Sequence, residues 1–215
     1  MRVTDLNLVA LDFETTGLVA GYPDEPWQIG LVLVRGGRMD ADCQYSSLLR
    51  VGPRPFNRFA PGRHAELRDQ LAVAPPLAQL WPLLRQWLVD RPLVAHNAAT
   101  ERRITRTAFP LHTFGPWIDT LKLARVAYPQ HPTHKLEDLV NDLDLAGRVA
   151  SACPDRESHD ALYDAIACGV LLEHLLGLPG WQHVTLHNLV NASPRHFHRR
   201  QAQRRHREDS TQTSS

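Results

Sequence analysis

The order of apolar runs and turn residues limits the fold more than any other feature of the sequence. Residues 6–13 form a short apolar run closed by Glu-Thr-Thr-Gly, which predicts a buried strand ending in a polar turn. Residues 29–34 and 43–51 lie on either side of Gly36-Gly37, a pattern typical of an antiparallel hairpin. The chain is therefore expected to begin with three strands that pair in one sheet.

Strands and helices alternate in the rest of the chain. Short apolar segments at 92–95 and 117–119 are predicted to be strands, each followed by a helix. The predicted helices cover residues 77–88, 98–108, 120–128, 135–143 and 158–176, with Ser158 as the cap of the last one. Three paired strands followed by this alternation predict an α/β fold with a mixed sheet that is flanked by helices on both faces.

The length of 215 residues suits one such domain and is too short for two full domains. We predict a domain at residues 1–180, followed at 181–215 by a short helix near 186–190 and a basic tail. Six arginines against two acidic residues give residues 191–215 a charge of +4, which leaves −3 on the remainder. The tail is either a solvated extension or a basic arm that contacts phosphates or a partner, and both interpretations stay open.

The cysteines and the first residues bear on the compartment. Cys43, Cys153 and Cys168 are scattered and odd in number, which argues against a disulfide framework and a zinc site. Asp5 and Asn7 interrupt the stretch where a signal peptide would be apolar, and no apolar run approaches the ~18 residues of a membrane span. We therefore expect a cytoplasmic protein that does not associate with a membrane.

The first candidate for chemistry is the acidic pair at the end of the first strand. Residues two apart on a strand project to the same side, so Asp12 and Glu14 bring two carboxylates together while Phe13 turns into the core. Two such charges repel unless a cation or a proton lies between them. Mg²⁺ or Mn²⁺ would relieve that repulsion, because both ions prefer oxygen ligands. A solvated turn is the alternative interpretation.

Two further acidic residues lie near the starts of predicted helices. Glu101 follows the strand at 92–95 and could add a third carboxylate, although an acidic residue there also complements the helix dipole. Asp164 lies on a helix face expected to be buried, where a carboxylate needs a partner such as a metal ion. His159 precedes Asp164 by five positions, about 140° around an ideal helix, so it can face the same site only from the frayed helix start.

These three segments resemble the motifs of the DEDDh class of 3′-to-5′ exonucleases, which includes the proofreading epsilon subunit of bacterial DNA polymerase III. The first motif, Asp-x-Glu-Thr-Thr-Gly, is intact at residues 12–17, and the third, His-x-Ala-x-x-Asp, is intact at 159–164. The second normally reads His-Asn-Ala-x-x-Asp, and here residues 96–98 are followed by Glu101 where aspartate is usual. The resemblance extends over about residues 6–176.

The resemblance implies a ribonuclease H-like fold with a five-stranded mixed sheet and a metal-dependent nuclease site. Two divalent ions, Mg²⁺ or Mn²⁺, would be held by four carboxylates: Asp12, Glu14, Glu101 and Asp164. His159 would accept the proton of the attacking water, because imidazole groups ordinarily titrate near neutrality. The reaction would release nucleoside monophosphates from 3′ ends.

The resemblance also suggests how the substrate is held. The residues expected around the terminal nucleotide are Thr15, Thr16, Gly17 and Leu18, with His64 and Asn97 as further contacts. For His64, an exposed loop histidine without a role is the alternative. The expected partner is nucleic acid with a free 3′ end, with single-stranded DNA favoured over RNA, and a polymerase is a second candidate partner. Proofreading, repair and RNA trimming are not distinguished.

Glu101 is the departure from the family pattern. Glutamate keeps the charge but extends the carboxylate by about 1.5 Å, and misplacement by about 1 Å can lower an enzymatic rate on the order of 10²-fold. Our hypothesis is an active enzyme with altered metal geometry that prefers Mn²⁺.

Two other functions compete with the nuclease. Phosphatases with an aspartate nucleophile also begin with an acidic pair after a strand, but they need a second aspartate in place of Glu14 and a lysine near the site. Lys122 and Lys135 are the only lysines, and neither is near the acidic strand end at Asp12 and Glu14 in the sequence. The other alternative is a catalytically weakened module that binds nucleic-acid ends or a polymerase without cutting.

Overall fold

The protein is described by a computed structural model over residues 1–181 and 183–193. Its centre is one five-stranded sheet with the spatial order β3-β2-β1-β4-β5. The strands are β1 (Asn7–Thr15), β2 (Pro26–Arg35), β3 (Arg38–Leu48), β4 (Leu93–Ala95) and β5 (Trp117–Asp119). The pairs β1–β2 and β2–β3 are antiparallel, whereas β1–β4 and β4–β5 are parallel. The predicted mixed sheet is therefore confirmed.

Helices follow the strands largely as expected. They are α1 (Arg68–Val73), α2 (Trp81–Leu88), α3 (Ala99–Ala108), α4 (Thr120–Ala127), α5 (Leu136–Asp142), α6 (Ala146–Ala152), α7 (Ala161–Leu176) and α8 (Leu186–Val190). The predicted helix at 77–88 is divided, because Leu77–Leu80 forms a 3-10 turn before α2 begins. The sequence patterns did not predict α1 and α6, which are only 6 and 7 residues long.

The two faces of the sheet bury separate clusters of apolar side chains. Along β1, Leu8 and Ala10 join a cluster with side chains from α4, α5, α6 and α7. The alternate β1 residues, Val9 and Leu11, pack with side chains from α2 and α3 on the opposite face. This alternation is the period of two that a strand requires when both of its faces are covered. Helices on both faces are thus confirmed.

Helix α7 lies directly against the sheet near the middle of β2. A Cβ atom added to Gly30 would lie 2.1 Å from the backbone oxygen of Ala161, so only glycine allows this approach. The helix does not begin at Ser158 as predicted. Its N-cap is Asp160, whose carboxylate accepts the backbone N–H groups of Leu162 and Tyr163. An ionised carboxylate is a stronger acceptor than a hydroxyl group and also complements the helix dipole.

The last described helix is tied to the start of the chain. The N–H of Leu186 donates to the backbone oxygen of Met1 over 3.3 Å, and Leu189 is buried in the α7-side cluster. The boundary at residue 180 stays a prediction. The predicted basic tail at 191–215 lies outside the described residues from 194 onward. None of the helices in the described part of the chain is long and apolar enough to cross a membrane.

Candidate active site

Two carboxylates project from β1 onto the α7 side of the sheet. Asp12 lies opposite Gly30 and Glu14 lies opposite Gln28 in the antiparallel pairing with β2. Glu14 is 7% exposed, and Phe13 between them is buried on the other face. The period of two along the central strand therefore brings both acidic groups under the start of α7.

A third carboxylate comes from the first turn of α3. Glu101 is only 4% exposed, and its Oε2 atom is buried without a hydrogen-bond partner among the described residues. Burial is the main cause that raises the pKa of Glu101 to about 7, and the charge of Asp119 raises it further. A buried carboxylate oxygen without a donor is costly, so this group needs a proton or a cation that the described chain does not supply.

The fourth carboxylate and the candidate base come from the start of α7. His159 lies in the loop before the helix in the left-handed region, with φ of 67°. Its backbone N–H donates to Asp164 Oδ2 over 3.1 Å, while its side chain is exposed. One ligand atom each from Glu14, His159 and Asp164 lies within 4.8 Å of the other two.

The four carboxylates shift one another's protonation. Burial and then Asp164, Glu101 and Glu14 raise the pKa of Asp12 well above its ordinary value. Burial, the charge of Asp164 and a hydrogen bond with Asp164 raise the pKa of Glu14 to about 8. Burial also raises the pKa of Asp164 to about 6, against the opposing effect of the His159 N–H. The four groups form one coupled acidic cluster, although they come from three separate segments.

The acidic cluster fits a hard divalent cation. Its donors are carboxylate oxygens with one exposed imidazole, a set that suits Mg²⁺ and Mn²⁺. The unpartnered Glu101 Oε2 and the mutual repulsion of the carboxylates are both relieved by positive charge. The residues present therefore match the ions that the sequence resemblance implies.

The turn after β1 is largely occupied by contacts within the protein. Thr16 is buried, its N–H donates to the oxygen of Glu25, and its own backbone oxygen accepts from the N–H of Asn57. The backbone oxygen of Thr15 accepts from Trp27 Nε1. The N–H of Thr16 is therefore used within the protein, and the backbone oxygens of Thr15 and Thr16 each already accept one protein donor.

Gly17 and Leu18, at the end of this turn, both lie against Asn57. Gly17 has φ of +71°, and an added Cβ would lie 2.8 Å from the Cβ of Asn57. Glycine is therefore needed here because the loop that carries Asn57 packs closely against the backbone. Asn57 Nδ2 also donates to the backbone oxygen of Leu18, whose side chain is 80% exposed. Asn57 gave no signal in the sequence, because it lies in an irregular segment rich in proline.

His64 and Asn97, the two further contacts expected, have different surroundings. His64 is half-buried and its ring stacks on Phe56 at a centroid distance of 4.6 Å, so the alternative of an exposed loop histidine is wrong, while its contact with a nucleotide stays a prediction. Its buried Nδ1 has no partner within the described residues. Asn97 has φ of 64° and donates its backbone N–H to Asp119, leaving the side chain exposed.

The histidine before Asn97 belongs to a separate polar group. His96 Nδ1 lies 3.0 Å from the Thr120 hydroxyl, and His96 Nε2 lies 2.8 Å from the backbone oxygen of His134. The Thr120 hydroxyl also lies 3.4 Å from Cys168 Sγ. We call these four residues the histidine cluster. Both ring nitrogens of His96 hydrogen-bond within the protein, so this residue of the second motif has a structural role.

The sequence patterns also did not predict a hydrogen-bond network next to His159. Buried Gln28 hydrogen-bonds to Asp160, and Arg156 donates to both oxygens of the same carboxylate. The available signal was a glutamine inside an otherwise apolar run in β2. Such a residue in a covered strand must find hydrogen-bond partners, but the sequence does not show which ones.

Comparison with known proteins supports the same region. A family model described as an exonuclease, RNase_T, matches residues 9–172. The DNA polymerase III PolC-type protein of Bacillus cereus is 30% identical over 172 residues, which cover 78% of this chain and 11% of that protein. The chain thus spans about a tenth of the length of this curated relative.

Solved structures agree with the fold. Exonuclease X, solved in complex with 5′ overhanging duplex DNA, is 26% identical with a TM-score of 0.63, over 86% of this chain and 99% of that one. The nuclease domain of 3′hExo, described as a DEDDh family member bound to rAMP, is 16% identical with a TM-score of 0.62, over 82% of this chain and 94% of that one. The second likeness shows the fold alone.

Proposed function

The chain belongs to the RNase_T exonuclease family, and we propose that it is a member of the DEDDh class that hydrolyses the terminal phosphodiester bond at 3′ ends and releases nucleoside monophosphates. The observation that carries the proposal is the convergence of Glu14, His159 and Asp164 within 4.8 Å, next to the coupled Asp12 and Glu101. Each of these residues occupies a position of the family's motifs.

We propose that the four carboxylates hold two divalent ions, Mg²⁺ or Mn²⁺. When bound, such ions supply Lewis-acid chemistry that makes water more acidic and stabilises the charge on the leaving 3′-oxygen. Asp12 and Glu14 come from the central strand, which gives them a rigid support. Glu101 and Asp164 approach from two helices, so the cluster joins three elements that could otherwise shift independently.

His159 is the proposed general base. Its imidazole is exposed and able to accept a proton from water, while its backbone is tied to Asp164. That bond ties the loop of the base to a carboxylate that would hold the cation, so the attacking water and the base would meet at the same point. General bases placed in this way contribute about 10²- to 10⁴-fold in rate.

For the substrate, we propose the unpaired 3′ end of DNA, with RNA as the second choice. Exonuclease X was solved with 5′ overhanging duplex DNA and the Bacillus cereus relative is a DNA polymerase III PolC-type protein, and both support DNA as the substrate. A 5′ overhang leaves a recessed, paired 3′ end, so the proposed preference for an unpaired end rests on the sequence resemblance alone. A polymerase partner is proposed from the same relative. In this chain, the side chain of Leu18 is exposed, and Asn57 donates to its backbone oxygen. The ring of His64 stacks on Phe56, the residue before Asn57. We propose that a terminal base binds at these two loops.

The test is an assay of labelled single-stranded DNA, duplex DNA and RNA with Mg²⁺ or Mn²⁺. A ladder that shortens from the 3′ end is expected for the unaltered chain and is lost in Asp12→Ala. Asp5→Ala is the matched control, because exposed Asp5 precedes the opposite end of β1. No ladder with either metal would favour the catalytically weakened binding module, and a ladder that persists in Asp12→Ala would remove the assigned site.

A further inference from the structure

A buried amide in β2 connects the sheet to the loop that carries His159. Gln28 is 4% exposed, and both ends of its side-chain amide are used. Its Oε1 accepts the backbone N–H of Ala161 over 3.2 Å, and its Nε2 donates to Asp160 Oδ2 over 2.8 Å. These two partners are the residues that immediately follow His159.

Asp160 is held from the other side as well. Arg156 Nη1 lies 2.7 Å from both of its carboxylate oxygens, and its Oδ1 caps α7 by accepting two backbone N–H groups. The backbone oxygen of His159 is enclosed too, since a Cβ added to Gly62 would lie 2.8 Å from it. The loop that carries His159 is therefore held by Arg156 before it, by the contact of its own backbone oxygen with Gly62, and by Gln28 after it.

This fixation matters because His159 has an unfavourable backbone conformation. A φ of 67° is uncommon for a residue other than glycine, and it persists only where surrounding contacts impose it. In the described loop, those contacts reach the sheet through the Gln28 amide. Without it, the buried Ala161 N–H loses its partner, and Asp160 Oδ2 keeps only the bond from Arg156.

We propose that Gln28 is a positioning residue for the hydrolysis, which sets the orientation of the His159 imidazole by holding Asp160 and Ala161. This inference rests on the proposed role of His159 as the general base. An amide is needed at this position because it accepts at one end and donates at the other. A carboxylate at the same place would lie about 2.8 Å from that of Asp160 and repel it.

The first experiment replaces the amide with an apolar side chain that can neither donate nor accept a hydrogen bond. Gln28→Leu is expected to lower kcat about 10- to 100-fold, the range for residues that orient catalytic ligands, with KM changed less than about twofold. Gln44→Leu in β3 is the matched control, because exposed Gln44 donates only to backbone oxygens away from this loop. Loss of activity in both variants to the same extent would overturn the inference.

A double-variant cycle separates positioning from general loss of structure. If Gln28 acts through His159, adding Gln28→Leu to His159→Ala lowers the rate little further, because the base is already absent. Equal factors in both backgrounds would overturn the inference. Full activity of His159→Ala would instead overturn the proposed function, so the two failures are distinguishable.

A charge exchange provides the rescue. Gln28→Glu alone is expected to lose activity through repulsion, whereas Gln28→Glu with Asp160→Asn reverses the direction of the same hydrogen bond and restores a large part of kcat. The side-chain oxygen of Asp160→Asn can still accept the two N–H groups of the cap and Arg156 Nη1, whereas its amide nitrogen no longer accepts from Arg156, so the recovery is partial. A double variant no more active than Gln28→Glu would contradict the proposed contact.

Discussion

Two buried polar clusters lie on the same side of the sheet and satisfy their polar atoms in opposite ways. In the histidine cluster, both nitrogens of His96 and the Thr120 hydroxyl have partners within the chain. In the acidic cluster, burial and the charges of the other three carboxylates raise the pKa of Asp12, and Glu101 Oε2 has no partner within the described residues. Burial favours the neutral form in both, lowering the pKa of His96 and raising that of Glu14.

The difference shows which cluster serves the fold and which is available for chemistry. The histidine cluster is complete as a neutral hydrogen-bonded group, so it stabilises the domain without any ligand. The acidic cluster is stable only with bound protons or cations. The free energy of unfolding is therefore lower when the carboxylates are ionised without a cation, and it increases when an ion binds. The following predictions test this contrast in order of expected effect.

The largest effect is expected from neutralising one carboxylate of the acidic cluster. Asp164→Asn keeps an oxygen for the His159 N–H and can donate to Glu14, so the local geometry is retained. Because cations contribute several kcal/mol to such reactions, the rate should fall about 10³-fold or more. The metal-free variant should be at least as stable as the unaltered chain. Single-turnover rates and thermal unfolding in a chelator measure both.

The opposite result for Asp164→Asn would remove the proposed difference between the acidic cluster and the histidine cluster. If Asp164→Asn retained more than about a tenth of the rate, or if the metal-free variant unfolded at a lower temperature, Asp164 would have a structural role of the kind assigned to His96. Asp142→Asn is a suitable control, because Asp142 pairs with His131 at the end of α5.

The pH dependence of stability should come next in size. The unfolded carboxylates titrate near pH 4, whereas the folded pKa values of Asp164, Glu101 and Glu14 are about 6, 7 and 8. The folded state thus binds more protons between these limits, and this contribution to stability is lost as the pH rises through 6 to 8. Metal-free protein should lose on the order of a few kcal/mol between pH 5 and pH 8.

Denaturant unfolding at several pH values, with a chelator or with saturating Mg²⁺, checks the sign. Mg²⁺ should reduce the loss because it binds the ionised cluster, and Asp164→Asn should flatten the metal-free curve. A metal-free stability that rises from pH 5 to pH 8 would show that the carboxylates are not protonated in the fold.

The histidine cluster should respond in stability more than in catalysis. His96→Leu leaves the backbone oxygen of His134 without a donor in a partly buried position and removes one partner of Thr120. The expected loss in free energy of unfolding is about 1 to 3 kcal/mol, while kcat per folded molecule falls far less than in Asp164→Asn. Unchanged stability with abolished activity would place His96 in the active site.

How much of this contrast the sequence could reveal depends on the range of each contact. Asp12 and Glu14 were predictable because strand alternation alone puts both on one face. Asp164 was predictable because it interrupts an apolar helix face. Glu101 was harder, since its approach needs the parallel pairing of β4 with β1, which follows from the strand order of the whole sheet.

Contacts between distant segments account for what was missed. Ser158 was expected to cap α7, but Asp160 does so because Gln28 and Arg156 hold it from elsewhere. The contact of Thr16 with a nucleotide stays a prediction, and the sequence did not show that its backbone groups also bind Glu25 and Asn57. In each case the local pattern allowed several partners, and only the packed fold selects one.

The smallest effect is expected at Glu101, where the chain departs from its class. Glu101→Asp withdraws the carboxylate by about 1.5 Å toward α3 and gives the side chain that the family motif usually has. If the longer side chain distorts the cation geometry, the rate with Mg²⁺ should rise about tenfold relative to the rate with Mn²⁺, which tolerates irregular geometry better. Rates of both proteins with each metal, at saturating substrate, give this ratio.

Glu66→Asp is the matched control, because it makes the same change in an exposed residue paired with Arg63. Equal rates and equal metal dependence for Glu101→Asp and the unaltered chain would discard the hypothesis of altered geometry. In that case the buried Oε2 atom would reach the cation by folding back along α3, and the additional methylene would have no consequence for the reaction. A lower rate with both metals would instead show that the rest of the acidic cluster is adapted to glutamate.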